Sequence, residues 1–218
     1  MKLGKLPLAF LISIISKKAI SAENVGQAVP WGLNLREPFS PFMAESVAFH
    51  NELLWLVSIV SLFILALMVI IVLKYNVKSN PKPSKTIHNT FLEISWTAIP
   101  ALILVLMAIP SFKLLYKGDV VPEADMTIKA VGEQWQWRYE YPDHGNFFFK
   151  SQLVYDGEDI EDRPYRRLLT TDTVVVVPVG KVIKVYVTSR DVIHSWAVPS
   201  LGVKKDAVPG RLNETYFI

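Results

Sequence analysis

The sequence predicts an α+β membrane protein: a two-helix transmembrane hairpin followed by an extramembrane β-sandwich. Three observations carry this. Two long apolar runs in the first half contain no charge, and lysines crowd the stretch between them. From Met126 onward the hydrophobic pattern alternates, with β-branched runs punctuated by Gly and Pro. The chain is 51% hydrophobic, more than a soluble domain of 218 residues needs to bury.

The N-terminal segment, "MKLGKLPLAFLISIISKKAISAEN", opens with two lysines, continues in an apolar run from Leu6 to Ile15 and reaches small residues near Ala19 and Ser21. It reads as a secretory signal over 1–22, with a membrane-surface helix as the alternative. Leu53 to Leu73 is 21 residues without a charge, about 30 Å of helix, the thickness of a hydrocarbon core. Ile94 to Phe112 supplies a second span, whose Pro100 and Pro110 are tolerable where neighbours satisfy the freed carbonyls. Two soluble core helices would show a polar face; these show none. Lys74, Lys78, Lys82 and Lys85 lie in the connecting loop and assign it to the cytoplasmic side, or the matrix side in a mitochondrion. Residues 23–112 therefore form an N-terminal segment plus hairpin, and 113–218 a β domain on the opposite side.

In that second half, "MTIKAVGEQWQWRYEYP" alternates, and "TVVVVPVGKVIKVYVT", "HSWAVPSLG" and "RLNETYFI" read as further short strands of an antiparallel sandwich or barrel. A strand through "EQWQWRYEY" would put Trp135, Trp137, Tyr139 and Tyr141 on one face. Most of these fill the core, yet four on one strand exceed what a small sandwich uses, so some should reach a rim or a partner. Residues 156–162 hold five acids in seven positions, which is ordinarily a solvated loop. Residues 1–112 carry 9 Lys+Arg against 5 Asp+Glu, and residues 113–218 carry 14 against 15. No clustered basic face suggests nucleic acid. With no cysteine in the chain, disulfides and thiolate chemistry within it are excluded. His194, between a β-branched run and a proline-rich bend, is either a hydrogen-bonded core residue or one ligand of a metal site.

From Pro38 to the last residue these pieces resemble subunit II of the haem–copper cytochrome c oxidases. The resemblance rests on the hairpin, "LEISWTAIPALILVLMAIPS", "VGEQWQWRYEYPDHG" and "RDVIHSWAVPSLGVKKDAVPGRLN", in this order and spacing. It implies a cupredoxin-like Greek-key domain outside the membrane, carrying a binuclear copper centre that takes electrons from cytochrome c and passes them to the haem of subunit I. Subunits I and III and the lipid membrane are the implied partners, and oxygen reduction coupled to proton pumping the implied reaction. The location is the bacterial inner membrane with the β domain periplasmic, or the mitochondrial inner membrane. His194 matches a copper ligand, and imidazole suits copper. The family's other ligands lie in a downstream loop of pattern C-x₃-C-x₃-H-x₂-M, and this sequence stops at "RLNETYFI", before that loop. Either the sequence is a partial one or a split gene supplies the loop on a second chain; a terminal strand cut in mid-pattern favours the first.

Three further roles are carried over. Trp135 matches the tryptophan through which electrons come in, although Glu133 stands where histidine is common. Glu93 matches a carboxylate at the mouth of a proton channel, but Thr90-Phe91-Leu92-Glu93 also reads as a capping box at a helix start. Asp156, Glu158, Asp159 and Asp191 become docking carboxylates for basic cytochrome c, with Arg190 opposing them. The alternatives are a ubiquinol oxidase subunit II without copper, against which an intact "DVIHSW" argues, and a copper-free anchored β domain serving assembly.

Overall fold

The computed structural model describes residues 26–155 and 165–218. The signal-like segment 1–22 and the acidic residues Asp156, Glu158 and Asp159 lie outside the described residues. Residues 26–37 belong to a unit of their own, in which the Arg36 guanidinium donates to the Gly26 carbonyl at 3.1 Å. The remainder, Pro38–Ile218, forms the second unit.

Helix α1 runs Pro41–Lys74 and helix α2 Thr90–Asp119. At 34 and 30 residues they are about 51 and 45 Å long, more than a hydrocarbon core requires. The surplus lies at the start of α1 and the end of α2, where charges return and Lys117 pairs with Glu45 across the hairpin. The apolar windows of both helices are exposed on every side, as a lipid- or partner-facing surface must be. Inside them Ser58 and Ser95 donate to the carbonyls of Leu54 and Phe91 at 2.7 Å, so these two hydroxyls are satisfied within their own helices. Ser40 caps α1, accepting from Met43 N at 3.0 Å with Pro41 following it.

The start of α2 differs from the expected capping box. Asn89, not Thr90, is the cap: its side chain accepts from Leu92 N at 3.1 Å, while Glu93 Oε1 accepts from Asn89 N at 3.2 Å. Asparagine is the stronger cap of the two, and Glu93 still reaches back one turn to complete the reciprocal pair.

Among the described residues the β domain has seven strands: β1 Met126–Glu133, β2 Gln136–Tyr141, β3 Phe147–Gln152, β4 Ile183–Ser189, β5 His194–Val198, β6 Val203–Ala207 and β7 Asn213–Phe217. Five form one sheet in the order β3-β2-β1-β4-β7, and β5-β6 form the second layer. The sandwich is mixed rather than antiparallel, because β1 and β4 run parallel. The long connection between β3 and β4 permits this, as parallel neighbours need a crossover. Alternation holds on the core face: Ile128, Ile183, Val185 and Val187 are fully buried, closed over by Trp196, Val203 and Ala207 from the second layer. Within this core Trp196 Nε1 donates to Tyr139 Oη at 3.0 Å.

Only the second half of "TVVVVPVGKVIKVYVT" is a strand. Residues 174–178 lie outside any ladder, tied to the sheet by the Tyr141 hydroxyl, which accepts from Val176 N at 3.1 Å and donates to Val176 O at 3.0 Å. A side chain there takes the place of a neighbouring strand.

The hairpin is fastened to the sandwich at several points. Phe39 N donates to Ser200 O at 2.8 Å, Ser40 Oγ to Leu201 O at 2.7 Å, and Tyr216 Oη to Lys117 O at 2.6 Å. Gly202, at φ +75°, sits where a Cβ would come within 3.0 Å of Phe42 and 3.3 Å of the Met43 backbone. Both its conformation and its neighbours therefore call for glycine.

Candidate metal centre

Strands β1 and β2 are joined by a two-residue turn, Gln134-Trp135, with Glu133 paired to Gln136. Trp135 is therefore not on the strand face that the alternation assigned to it. It projects from the turn and is 87% exposed, whereas Tyr139 and Tyr141 are buried and Trp137 is half-buried. Of the four aromatics, the one that reaches the rim is the one matched to electron input.

His194 opens β5, its side chain 17% exposed. The Trp137 ring meets it edge-on, with centroids 6.0 Å apart and planes at 63°. Nε2 lies 2.7 Å from Asp191 Oδ1. A carboxylate only accepts, so Nε2 carries the proton and Nδ1 of the neutral ring presents its lone pair. Nδ1 has no hydrogen-bond partner among the described residues.

Asp191 binds more than the histidine. Its Oδ2 accepts from Gln134 N at 2.6 Å, and Oδ1 accepts from Val192 N at 2.7 Å and Ser189 Oγ at 3.2 Å. The bond to His194, together with those backbone and hydroxyl donors, holds the carboxyl well below the usual range against its partial desolvation. One carboxylate thus joins the turn that displays Trp135 to the imidazole. Sequence reading assigned Asp191 to docking and missed this contact; the signal available was an acid three residues before the histidine in "DVIH".

Glu133 and Arg190 also differ from their apparent roles. Glu133 accepts from Gln136 Nε2 at 2.7 Å and Arg190 Nη1 at 3.1 Å, with Lys150 Nζ at 3.5 Å. Burial works against its charge, but these donors prevail and hold its pKa below the ordinary glutamate value. Arg190 is therefore partnered by an acid of its own surface. Glu93 lies far away in sequence and on another element, at the start of α2, its side chain 42% exposed and 3.5 Å from His88 Nδ1.

The chemistry of a copper site can be tested against these residues. One imidazole nitrogen with its other nitrogen held by a carboxylate is the arrangement metal-ligating histidines adopt. Among the described residues no group of three or more His, Cys, Asp or Glu comes together, so His194 fits as one donor and no complete ligand set stands beside it.

The fold and this seat define a class: a β-sandwich mounted on a membrane hairpin, with one pre-oriented imidazole near an exposed tryptophan. The comparisons narrow it. Residues 28–114 match the family model for the cytochrome c oxidase subunit II transmembrane domain, and residues 126–218 the model for its periplasmic domain. The chain is 43% identical over 216 residues to "Probable cytochrome c oxidase subunit 2" of Rickettsia conorii, covering 99% of this chain and 67% of that one. It is 40% identical over 212 residues to cytochrome c oxidase subunit 2 of Cyanidium caldarium, covering 95% of this chain and 81% of that one. Among solved structures, the periplasmic domain of subunit II (CoxB) of Bradyrhizobium japonicum shares 55% identity over 45% of this chain and 66% of that one, with a TM-score of 0.41. The chain belongs to the cytochrome c oxidase subunit II family, whose members bind copper and form part of an oxidoreductase complex. It spans about two thirds of the Rickettsia conorii relative.

Proposed function

We propose that this chain is the electron-accepting subunit of a cytochrome c oxidase, with Trp135 receiving electrons from cytochrome c and His194 as one copper ligand. The observation that carries the reading is the Asp191 carboxylate, which binds the Gln134 amide beside the exposed Trp135 and the distal nitrogen of His194 at 2.6 and 2.7 Å. A binuclear copper centre, when bound, supplies one-electron redox chemistry with little rearrangement. The work of the chain's own residues is to display the indole, orient the imidazole and keep its tautomer.

Asp156, Glu158 and Asp159 supply docking charge for a basic cytochrome, and Asp191 adds to it while holding the ring. Subunits I and III receive the apolar faces of α1 and α2, and the haem of subunit I takes the electron onward. The signal-like N-terminus favours a bacterial inner membrane, where the lysine-rich loop between the helices puts the β domain on the periplasmic side, the mitochondrial inner membrane being the alternative. Glu93, half-buried at the start of α2 on the lysine-loop side, collects protons for subunit I. Relatives that are cytochrome c oxidase subunits favour this reading over a ubiquinol oxidase subunit or a copper-free assembly domain.

In the assembled oxidase, Trp135→Ala is expected to slow copper reduction by orders of magnitude while cytochrome c affinity stays near wild type. Neutralising Asp156, Glu158, Asp159 and Asp191 together should weaken binding and flatten its dependence on ionic strength. A tryptophan variant that lost affinity at an unchanged rate would sink the assignment. Glu93→Gln keeps an acceptor for Asn89 N, so stability should stay within about 0.5 kcal/mol of wild type. Oxygen consumption should fall several-fold, with stopped-flow copper reduction unaltered. Unchanged turnover would leave Glu93 as a helix cap.

A further inference from the structure

We propose that Gly132 is a positioning residue for His194, its missing Cβ making the space in which the imidazole sits. The inference rests on His194 being a ligand only for its consequence at copper; the packing argument stands by itself. A Cβ built on Gly132 would lie 2.7 Å from His194 Cδ2, 2.8 Å from Cγ and 3.1 Å from Cβ. Its φ lies outside the left-handed region, so backbone conformation does not require glycine here. The requirement comes from the ring.

Neither partner can give way easily. Gly132 is an interior residue of the sheet, paired with Trp137 on β2 and Ser189 on β4. Its carbonyl accepts from Arg190 N at 3.1 Å and Ser189 Oγ at 3.3 Å. The imidazole is held elsewhere by the edge of Trp137 and by Asp191 on Nε2. An added methyl must therefore turn the ring off its Asp191 bond or spread β1 from β5, and either change redirects Nδ1. Glycine in a strand interior often marks such a close approach.

The experiment is a double-mutant cycle on the full chain in detergent micelles, read by thermal unfolding. Gly132→Ala alone should lower Tm by roughly 5 °C or more, as overpacking does. In the His194→Ala background, where the ring is gone, most of that loss should vanish. If Gly132→Ala alone does not fold, refolding of the Gly132→Ala/His194→Ala pair supports the seat in the same way. Equal losses in both backgrounds, or failure of both variants to fold, overturn it. In the assembled oxidase Gly132→Ala should also shift the copper absorption spectrum. A coupled loss of stability with an unchanged spectrum keeps the seat and overturns His194 as a ligand, so the two readings fail separately.

Discussion

The two ends of the β1 layer use one device for different purposes. At the end nearest the chain's membrane helices in sequence, Asp125 accepts from Val182 N at 2.9 Å and from Lys181 Nζ at 3.1 Å. At the other, Asp191 accepts from Gln134 N at 2.6 Å and from His194 Nε2 at 2.7 Å. In both cases a carboxylate ties a backbone amide to a basic side chain, and in both the pKa is depressed, by the Val182 amide and Lys181 at Asp125 and chiefly by His194 at Asp191. The difference lies in the basic partner. An ammonium has only protons to offer and the arrangement ends there. An imidazole has a second nitrogen, and fixing one aims the other. The same local chemistry is a turn clasp at one end and, on the proposed function, a ligand mount at the other.

The sharpest way to break this comparison is to remove each carboxylate. Asp191→Ala should cost about 10–100-fold in copper retention, the usual effect of losing the group behind a ligating histidine, measured by chelator competition on the purified oxidase. Retention unchanged by that substitution would reduce Asp191 to a clasp like Asp125.

Between the two ends, Tyr139→Phe tests the packing beneath His194's strand. It leaves the buried Trp196 Nε1–H without its acceptor, which should cost about 1–3 kcal/mol in thermal unfolding while the copper spectrum stays the same. A spectral change would mean that the core tyrosine also sets the ligand geometry.

The smallest effect belongs to Asp125. Its folded-state pKa is depressed, so it stabilises above the ordinary carboxylate value of 3.8 and loses that contribution as pH falls through the folded value. The Tm difference between wild type and Asp125→Asn should be constant near neutrality and shrink from about pH 4 downward. A difference that persisted well below that range would show that the carboxylate's charge is not what the clasp uses.

The legible parts of this molecule are those whose signals are local. Two uncharged runs of 19 and 21 residues admit hardly any reading but membrane helices, and the alternation of "IKVYV" marks a half-buried strand. The helix ends were less legible, since the polar turns from Pro41 and up to Asp119 continue helices whose apolar runs are shorter. The parallel pairing of β1 with β4 leaves no mark on either strand's pattern. At the candidate site, Trp135 and His194 were proposed from motifs, but their geometry was not legible. Alternation set Trp135 on a strand face, and only the turn, with Glu133 opposite Gln136, turns it outward. The bond between Asp191 and Gln134 links positions far apart in the chain. Gly132 was in a quoted motif, and nothing in the letter G told that a histidine ring lies where its side chain would be.

Under the proposed function, the fastening of the hairpin to the sandwich bears on electron transfer itself. Tunnelling rates fall exponentially with separation, so a donor site on a swinging domain would transfer at an average dominated by rare close approaches. Ser40 on Leu201, Tyr216 on Lys117 and Gly202 against Phe42 oppose such a swing. On the proposed function they hold His194 at a set height above the helix ends, and with it the gap an electron would cross.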